Sequence, residues 1–349
     1  LPEGDYKLVV IANPTTKLVA RTAVGSPLTQ LTGYERYYTD ELATQGSQLT
    51  VSLLNEQGPV TVTSANFAST TPQVRIQLES VLARVLVYGE PRLAGGAQRG
   101  SAPAGYVLSP QARYTAPLRP LGLLRTGGSE VAGDGSHPED RYPTSRMCLE
   151  WKDSAPRSLT ELLSHFALDR MTSHEGGEDI YQARLLPDEQ ALAAAVSNIH
   201  AYARETTLPP TAYLVGALPS LVIRFPYIPG GLTLRENEGW VSFRGKYYTE
   251  SQMKEWIRSD DFDDSTLAEA VKAARINEDS FTAPFEKGDL RFYYRGYNYY
   301  VVPIRHFDDT KAPTKTSIGR YGVVRGAEYR IRLTQILRPG TPVPPDLTA

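Results

Sequence analysis

Gly319–Ala349, GRYGVVRGAEYRIRLTQILRPGTPVPPDLTA, is the stretch whose reading decides the fold. Tyr329, Ile331 and Leu333 alternate with Arg330, Arg332 and Thr334. A period of two is that of a half-buried β-strand. Pro339-Gly340 stops the strand, and Pro342, Pro344 and Pro345 follow. Proline has no N–H for a ladder, so neither a helix nor a central strand continues there. The pattern predicts a strong closing strand that releases an extended tail. Such a tail is passive or pairs with a neighbour's sheet edge.

Upstream, Leu290–Ile304 is β-like, with Tyr293-Tyr294 and Tyr299-Tyr300 flanking a hairpin turn at Arg295-Gly296-Tyr297-Asn298. Leu221–Tyr227, Trp240–Tyr248, Ala212–Val215 and Arg146–Trp151 read as further strands. Helices are expected behind the capping boxes at Ser158 and Thr249, over Pro187–Arg204, and over Ser265–Ile276. In the first part, Asp5–Ala12 is an apolar run expected to be a strand buried on both faces. Ser26-Pro27 predicts a helix from Pro27 towards Ala43, interrupted in propensity by Gly33. Leu49–Leu54, Pro59–Ser64, Tyr106–Leu108 and Leu118–Leu124 are short strand candidates, and Leu93–Gly105 reads as an exposed loop. Gln73–Tyr88 alternates through Val81, Ala83, Val85 and Val87, with a bulge expected at Ser80.

Thr126–Ser145 is almost free of apolar residues and marks the domain boundary, dividing the chain into 1–127 and 128–349. Order and content predict a mainly β protein of antiparallel sandwiches, the second with inserted helices and a proline-rich tail.

Composition narrows the function. With 41% hydrophobic and 22% charged residues over 349 positions, the chain is globular. A net charge of −2 provides no sequence-wide basic field for nucleic acid or anionic lipid. No window approaches the roughly 20 apolar residues of a membrane-spanning helix. The single cysteine, Cys148, forms no intrachain disulfide and reads as a buried thiol in a strand. No signal peptide is visible, and the opening Leu1-Pro2-Glu3-Gly4 reads as that of a processed chain.

Chemistry-bearing motifs are not found: no phosphate-binding glycine loop, no H-E-x-x-H, no G-x-S-x-G. His165, His174 and His306 show no converging ligand spacing. Asp260, Asp261, Asp263 and Asp264 lack the calcium-loop pattern and fit the N-terminus of the next helix. The tyrosines of 293–300 suit sugar stacking, and suit sheet faces and an interface better. A carboxylate pair for glycoside hydrolysis cannot be located by spacing. The expectation is no enzyme, no metal and no cofactor.

Several of these stretches together resemble the fimbrillins of Bacteroidetes type V pili. They are Tyr6–Asn13, Val81–Tyr88 around Ala83-Arg84, Tyr299–Ile304, Gly319–Arg325, and Glu328-Tyr329 through Ile336 with its Pro-Gly-x-Pro exit. The match is strongest in the final residues and is not evident from about Ala155 to Asp289. The resemblance implies two transthyretin-like β-sandwich domains and export as a lipoprotein precursor through the outer membrane. It further implies proteolytic removal of an N-terminal segment and an extracellular place in a fimbrium. Polymerisation by donor-strand exchange would join copies of the chain and accessory or anchor pilins, supporting adhesion and biofilm formation.

The expected polymerisation residues are Leu8, Val9, Val10, Ile11, Ile331, Leu333, Ile336, Leu337, Val343 and Leu347. The alternative is a tip or accessory fimbrial adhesin that binds glycan or host protein. The family pattern carries a further strand ahead of Tyr6 and strand residues beyond the proline-rich exit, where this sequence departs from it.

Overall fold

Leu82–Tyr88 (LARVLVY) is apolar at nearly every position, so a single covered face does not satisfy it. In the computed structural model it lies between two cores. Ala83, Val85 and Val87 point into one, with Tyr106, Leu221 and Trp240. Leu82 and Leu86 point into the other, with Leu18, Tyr37 and Leu54. This shared strand pairs antiparallel with Tyr202–Arg204 on one side and parallel with Glu328–Arg332 on the other. The structure describes residues 4–33, 35–45, 49–56, 58–67, 74–109, 111–112, 114–118, 158–164, 166–167, 181, 183–191, 201–206, 218–306 and 322–344.

The largest sheet is built on Ser220–Ile228, buried along almost its whole length. Gly105–Ser109 and Gln98–Arg99 pair along one side of it, Tyr297–Pro303 along the other, all antiparallel. Sheets are thus shared across the expected boundary at 127/128: strands 82–88 and 105–109 pair with strands from beyond residue 200. The physical reason is the two-sided apolar character of the shared strand, which needs cover from both parts of the chain.

The protein is mainly β with a few helices, as expected, and most pairings are antiparallel. The parallel pairings of Glu328–Arg332 with the shared strand and of Gln335–Ile336 with Arg92–Leu93 are departures from the antiparallel pattern.

Between the adjacent strands Ser220–Ile228 and Tyr297–Pro303 the chain makes an excursion, the insert (229–296). It holds a four-stranded antiparallel sheet in the order Lys246–Thr249, Trp240–Phe243, Leu290–Tyr293, Phe285–Lys287. Arg244 and Gly245 close its hairpin with φ of 46° and 81°, the left-handed pair that a two-residue turn needs. Helices Glu250–Ser259 and Ser265–Ala273 cover one face around Val241, Phe243, Met253, Leu267 and Phe292. Thr249 and Gln252 form the expected capping box, and Asp264 caps the second helix by accepting from Thr266 and Leu267. Trp240 stacks on Tyr293 at 3.7 Å and donates Nε1–H to the Tyr227 carbonyl at 2.9 Å, fastening the insert to the large sheet.

Four expectations are corrected. The run 5–12 is not buried on both faces; it splits into Tyr6–Leu8 and Ile11–Ala12, with no residue fully buried. Asn55 is the cause: its side chain accepts from Val10 N–H at 2.8 Å and donates to the Leu8 and Gly58 carbonyls at 3.0 Å, replacing the ladder between the two pieces. The helix over 27–43 reduces to Thr29–Thr32 and Thr39–Leu42, because the chain turns extended at Gly33 and sends Tyr37 into the core. A separate helix, Thr16–Arg21, is capped by Thr15. The strands on either side of 294–296 pair with different partners, so no hairpin forms there. Asn298 causes this by donating to the Tyr227 and Gly296 carbonyls, which aligns its strand on Ser220–Ile228. The end of the helix expected over 187–204 is instead the strand Tyr202–Arg204, with Ala203 in one core and Tyr202 in the other.

Near Ser80 the strand is interrupted at Val81, and the Ser80 hydroxyl bonds to the backbone of Leu82. Ser158 accepts from Glu161 N–H at the start of helix Leu159–Ser164. The segment expected as an exposed loop over 93–105 is only partly so: Gly95, Gly96 and the short strand Gln98–Arg99 are exposed, whereas Ala102 is buried and Leu93, Ala97 and Ala104 pack on the core. The expected strands Ala212–Val215 and Arg146–Trp151, the boundary 126–145, Cys148, His165, His174 and Leu347 lie outside the described residues.

Candidate functional site: a clamped closing strand, its strap and a sheet edge

The segment Gly322–Tyr329 is fixed by buried polar bonds. Arg325 donates from Nη1 and Nη2 to the carbonyls of Pro117 and Ala116, both at 2.7 Å, and from Nε to Glu205 at 3.0 Å. Each side chain of this ion pair is only 3% exposed. One guanidinium thereby joins three distant segments of chain. Val323 and Thr206 exchange both backbone hydrogen bonds beside it. The Tyr329 hydroxyl accepts from Val324 N–H at 2.8 Å, which leaves its own proton for His306 Nδ1, also at 2.8 Å. Burial holds His306 down at about 4 and pushes the Tyr329 phenol up.

The closing strand Glu328–Arg332 is half-buried as the alternation predicts: Tyr329 is buried and Ile331 partly so, while Arg330 and Arg332 are exposed. Arg84 meets Glu328 across the parallel pair at 3.1 Å.

The chain beyond it is not released. Residues 335–341, the strap, fold back against the edge strand Tyr297–Pro303. Thr341 and Tyr299 exchange backbone bonds of 2.9 and 3.1 Å. Gly340 N–H donates to Asn298 Oδ1 at 3.0 Å, and the hydroxyls of Tyr293 and Tyr300 reach the Gly340 and Arg338 carbonyls. A Cβ at Gly340 would lie 2.4 Å from the Tyr299 carbonyl oxygen, so the strap approaches this closely only with glycine there. The expectation of a free tail is corrected over these residues, and the cause is the Asn298–Gly340 bond beside the Tyr299–Thr341 pair.

Pro339 opens a groove in this contact. In the antiparallel register of Tyr299 with Thr341, Val301 faces Pro339, whose ring nitrogen has no hydrogen to donate. The strap diverges there, leaving a groove of about 700 Å³ over Ile223, Tyr300, Val302, Leu333 and Ile336, with Glu286 and Arg291 of the insert on its rim. Among the described residues, the Val301 N–H and C=O have no hydrogen-bond partner, and its side chain is 41% exposed.

Of the expected polymerisation residues, Leu333, Ile336 and Leu337 line this groove together. Ile336 is buried, Leu337 is 69% exposed and Val343 is half-buried. Leu8, Val9, Val10 and Ile11 are not brought to it. Leu8 and Ile11 lie in the two short strands and Val9 and Val10 in the link between them, beside Asn55, Leu8 exposed and the others half-buried. Sequence reasoning missed Asn298, Val301 and the Arg325 clamp. The spacing of Pro339 from Thr341 was the one signal for the groove, and it is uninformative until Tyr299 is known as the partner. Among the described residues no three His, Cys, Asp or Glu side chains converge as metal ligands, and no helix is long and apolar enough to cross a membrane.

The edge strand, Arg325 of the clamp, the closing strand and the strap all lie in one stretch of sequence. That stretch, residues 291–348, matches the family described as major fimbrial subunit protein type IV, fimbrillin, C-terminal. The match covers the end of the chain alone, and it supports the Bacteroidetes-type fimbrillin family to which the motif Gly319–Ile336 pointed. No curated protein matches the sequence.

Proposed function

We propose that this chain is a structural, non-enzymatic subunit of a cell-surface fimbrium, joined to copies of itself and to accessory or anchor subunits by strand exchange. The observation that carries the reading is the strap. It lies on a sheet edge through one exchanging residue pair, the Asn298–Gly340 bond and two tyrosine hydroxyls, all separate from the clamp, and it falls within the region that matches a fimbrial subunit. A segment held this way peels off without unfolding the clamp behind it. The apolar side chains Ile331 and Leu333 before the strap and Ile336 and Leu337 within it, with Val343 and Leu347 beyond, are the proposed donor. The weakly buried run Leu8–Ile11 is the proposed place of exchange, since few apolar contacts hold it.

The two cores on either side of Leu82–Tyr88 correspond in this reading to the two transthyretin-like sandwiches. Export as a lipoprotein precursor, adhesion and biofilm formation belong to the same proposal. Ending the chain after Leu337 tests it: the monomer keeps its fold by circular dichroism, and electron microscopy shows no extended fibres. Fibres of full length from that truncation would remove the reading.

A tip or accessory role is a second reading, favoured by one feature of the insert. Tyr247, Ser242, Arg291 and Glu286 form a row across its sheet, on the face opposite the helices. An exposed ring beside a fixed guanidinium–carboxylate pair suits a sugar. Binding on a glycan array that Tyr247→Ala abolishes would support this role, and an array without hits would count against it.

A further inference from the structure

The groove beside Val301 has backbone on both of its sides. On the edge strand, alternate residues face Ser220–Ile228, which leaves Val301 N–H and C=O directed at the groove. On the strap and the residue before it, Arg92 N–H and Ala94 N–H bond to the carbonyls of Thr334 and Ile336. The same alternation turns the N–H and C=O groups of Gln335 and Leu337 the other way, and among the described residues they have no partner either. Two unpaired strand edges therefore border one apolar floor. A strand laid between them would join the large sheet to the Arg92–Leu93 pair and cover Leu337 and Val301, which are 69% and 41% exposed.

The rim carries net positive charge. Arg291 is already bonded to Glu286 at 2.8 Å, whereas the Arg338 guanidinium has no acceptor among the described residues. A second copy's C-terminal tail fits this slot poorly. Pro342, Pro344 and Pro345 would present ring nitrogens where the slot's carbonyls need N–H donors.

Resting on the fibre-subunit reading, we infer that this slot accepts an extended, proline-free strand of a different chain, apolar at alternate positions and carrying a carboxylate that meets Arg338. It is separate from the exchange proposed at Leu8–Ile11. It exists while the strap is in place, as in a subunit whose own strap has not been donated.

The test uses the full-length monomer and a fluorescent peptide alternating valine and threonine, ending in aspartate. Binding is read by anisotropy and by slowed amide exchange at 299–302 and 335–338. A central proline in the probe should weaken binding by about tenfold, since it removes a backbone donor. Arg338→Glu, at an exposed position, should weaken the aspartate probe by about fivefold and leave a lysine-ended probe no weaker. Val301→Pro should abolish the exchange protection; because it alters a strand, Arg338→Glu is the decisive variant.

The inference is overturned by no binding up to about 1 mM, by equal binding of the proline probe, or by equally tight binding of a peptide with the sequence of 338–349. Dimerisation of the free monomer that the probe competes away would also overturn it, by placing a second copy in the slot. Absence of fibres in assembly would damage the fibre reading alone and leave probe binding to be judged by itself.

Discussion

Arg325 and Glu205 form an ion pair 3.0 Å long with both side chains almost wholly removed from solvent. Arg325 spends its other donors on the carbonyls of Ala116 and Pro117, so the pair is embedded in a set of bonds that ties the closing segment to the first part of the chain. Removing one partner leaves a buried charge and two bare carbonyls. Arg325→Leu should therefore destabilise the fold by about 3–5 kcal/mol. Arg325→Leu combined with Glu205→Leu should recover part of that loss, because no lone charge is left behind. Urea unfolding of the three proteins measures both effects, and a single variant within about 1 kcal/mol of the parent would contradict the clamp.

His306 gives the stability a defined pH dependence. Its folded pKa, about 4, lies below the ordinary value of 6.5, so the unfolded chain binds the proton more tightly. The neutral-imidazole contribution is fully present above the unfolded pKa and is lost as pH falls from there through the folded one. The loss amounts to about 3 kcal/mol across that window. His306→Gln should flatten this part of the stability curve, measured as unfolding midpoints at several pH values. An unchanged slope would show that another group is responsible.

Asn55 substitutes for a ladder at the N-terminal run. Asn55→Ala strips partners from Val10 N–H and the Leu8 and Gly58 carbonyls at once. A cost of about 1–3 kcal/mol is expected, concentrated locally. Amide exchange over 6–12 should accelerate well before that of 82–88. Uniform acceleration would mean the run is integral to the global fold.

Gly340→Ala places a methyl group against the Tyr299 carbonyl and should lift the strap. Exchange protection at Tyr299 and Thr341 should vanish while the thermal midpoint moves by only a few degrees. A large fall in midpoint would make the strap part of the core rather than a detachable cover.

The sequence shows local physics well and pairing badly. The alternation at 329–334 gave a half-buried strand, and Thr249 and Asp264 announced their helices, because those signals are complete within a few residues. The parallel partner of Glu328–Arg332 lies some 240 positions away, and no periodicity encodes it. The run 5–12 looked like a buried strand because apolar content alone does not register Asn55, a polar side chain in another strand that divides it. The tail read as free because Pro339 does break the ladder; what held it, the Asn298–Gly340 bond and the Tyr299–Thr341 pair, sits in the two residues just beyond that proline. The groove is the product of these two facts and was legible in neither alone.

In the proposed function, copies of this chain make up a surface fibre. Immunogold electron microscopy of surface filaments, with antibody raised against the folded chain, tests it most directly. Gold particles recurring along the length of the filaments are the predicted result. Filaments without label, on cells whose protein is detected elsewhere, would contradict it.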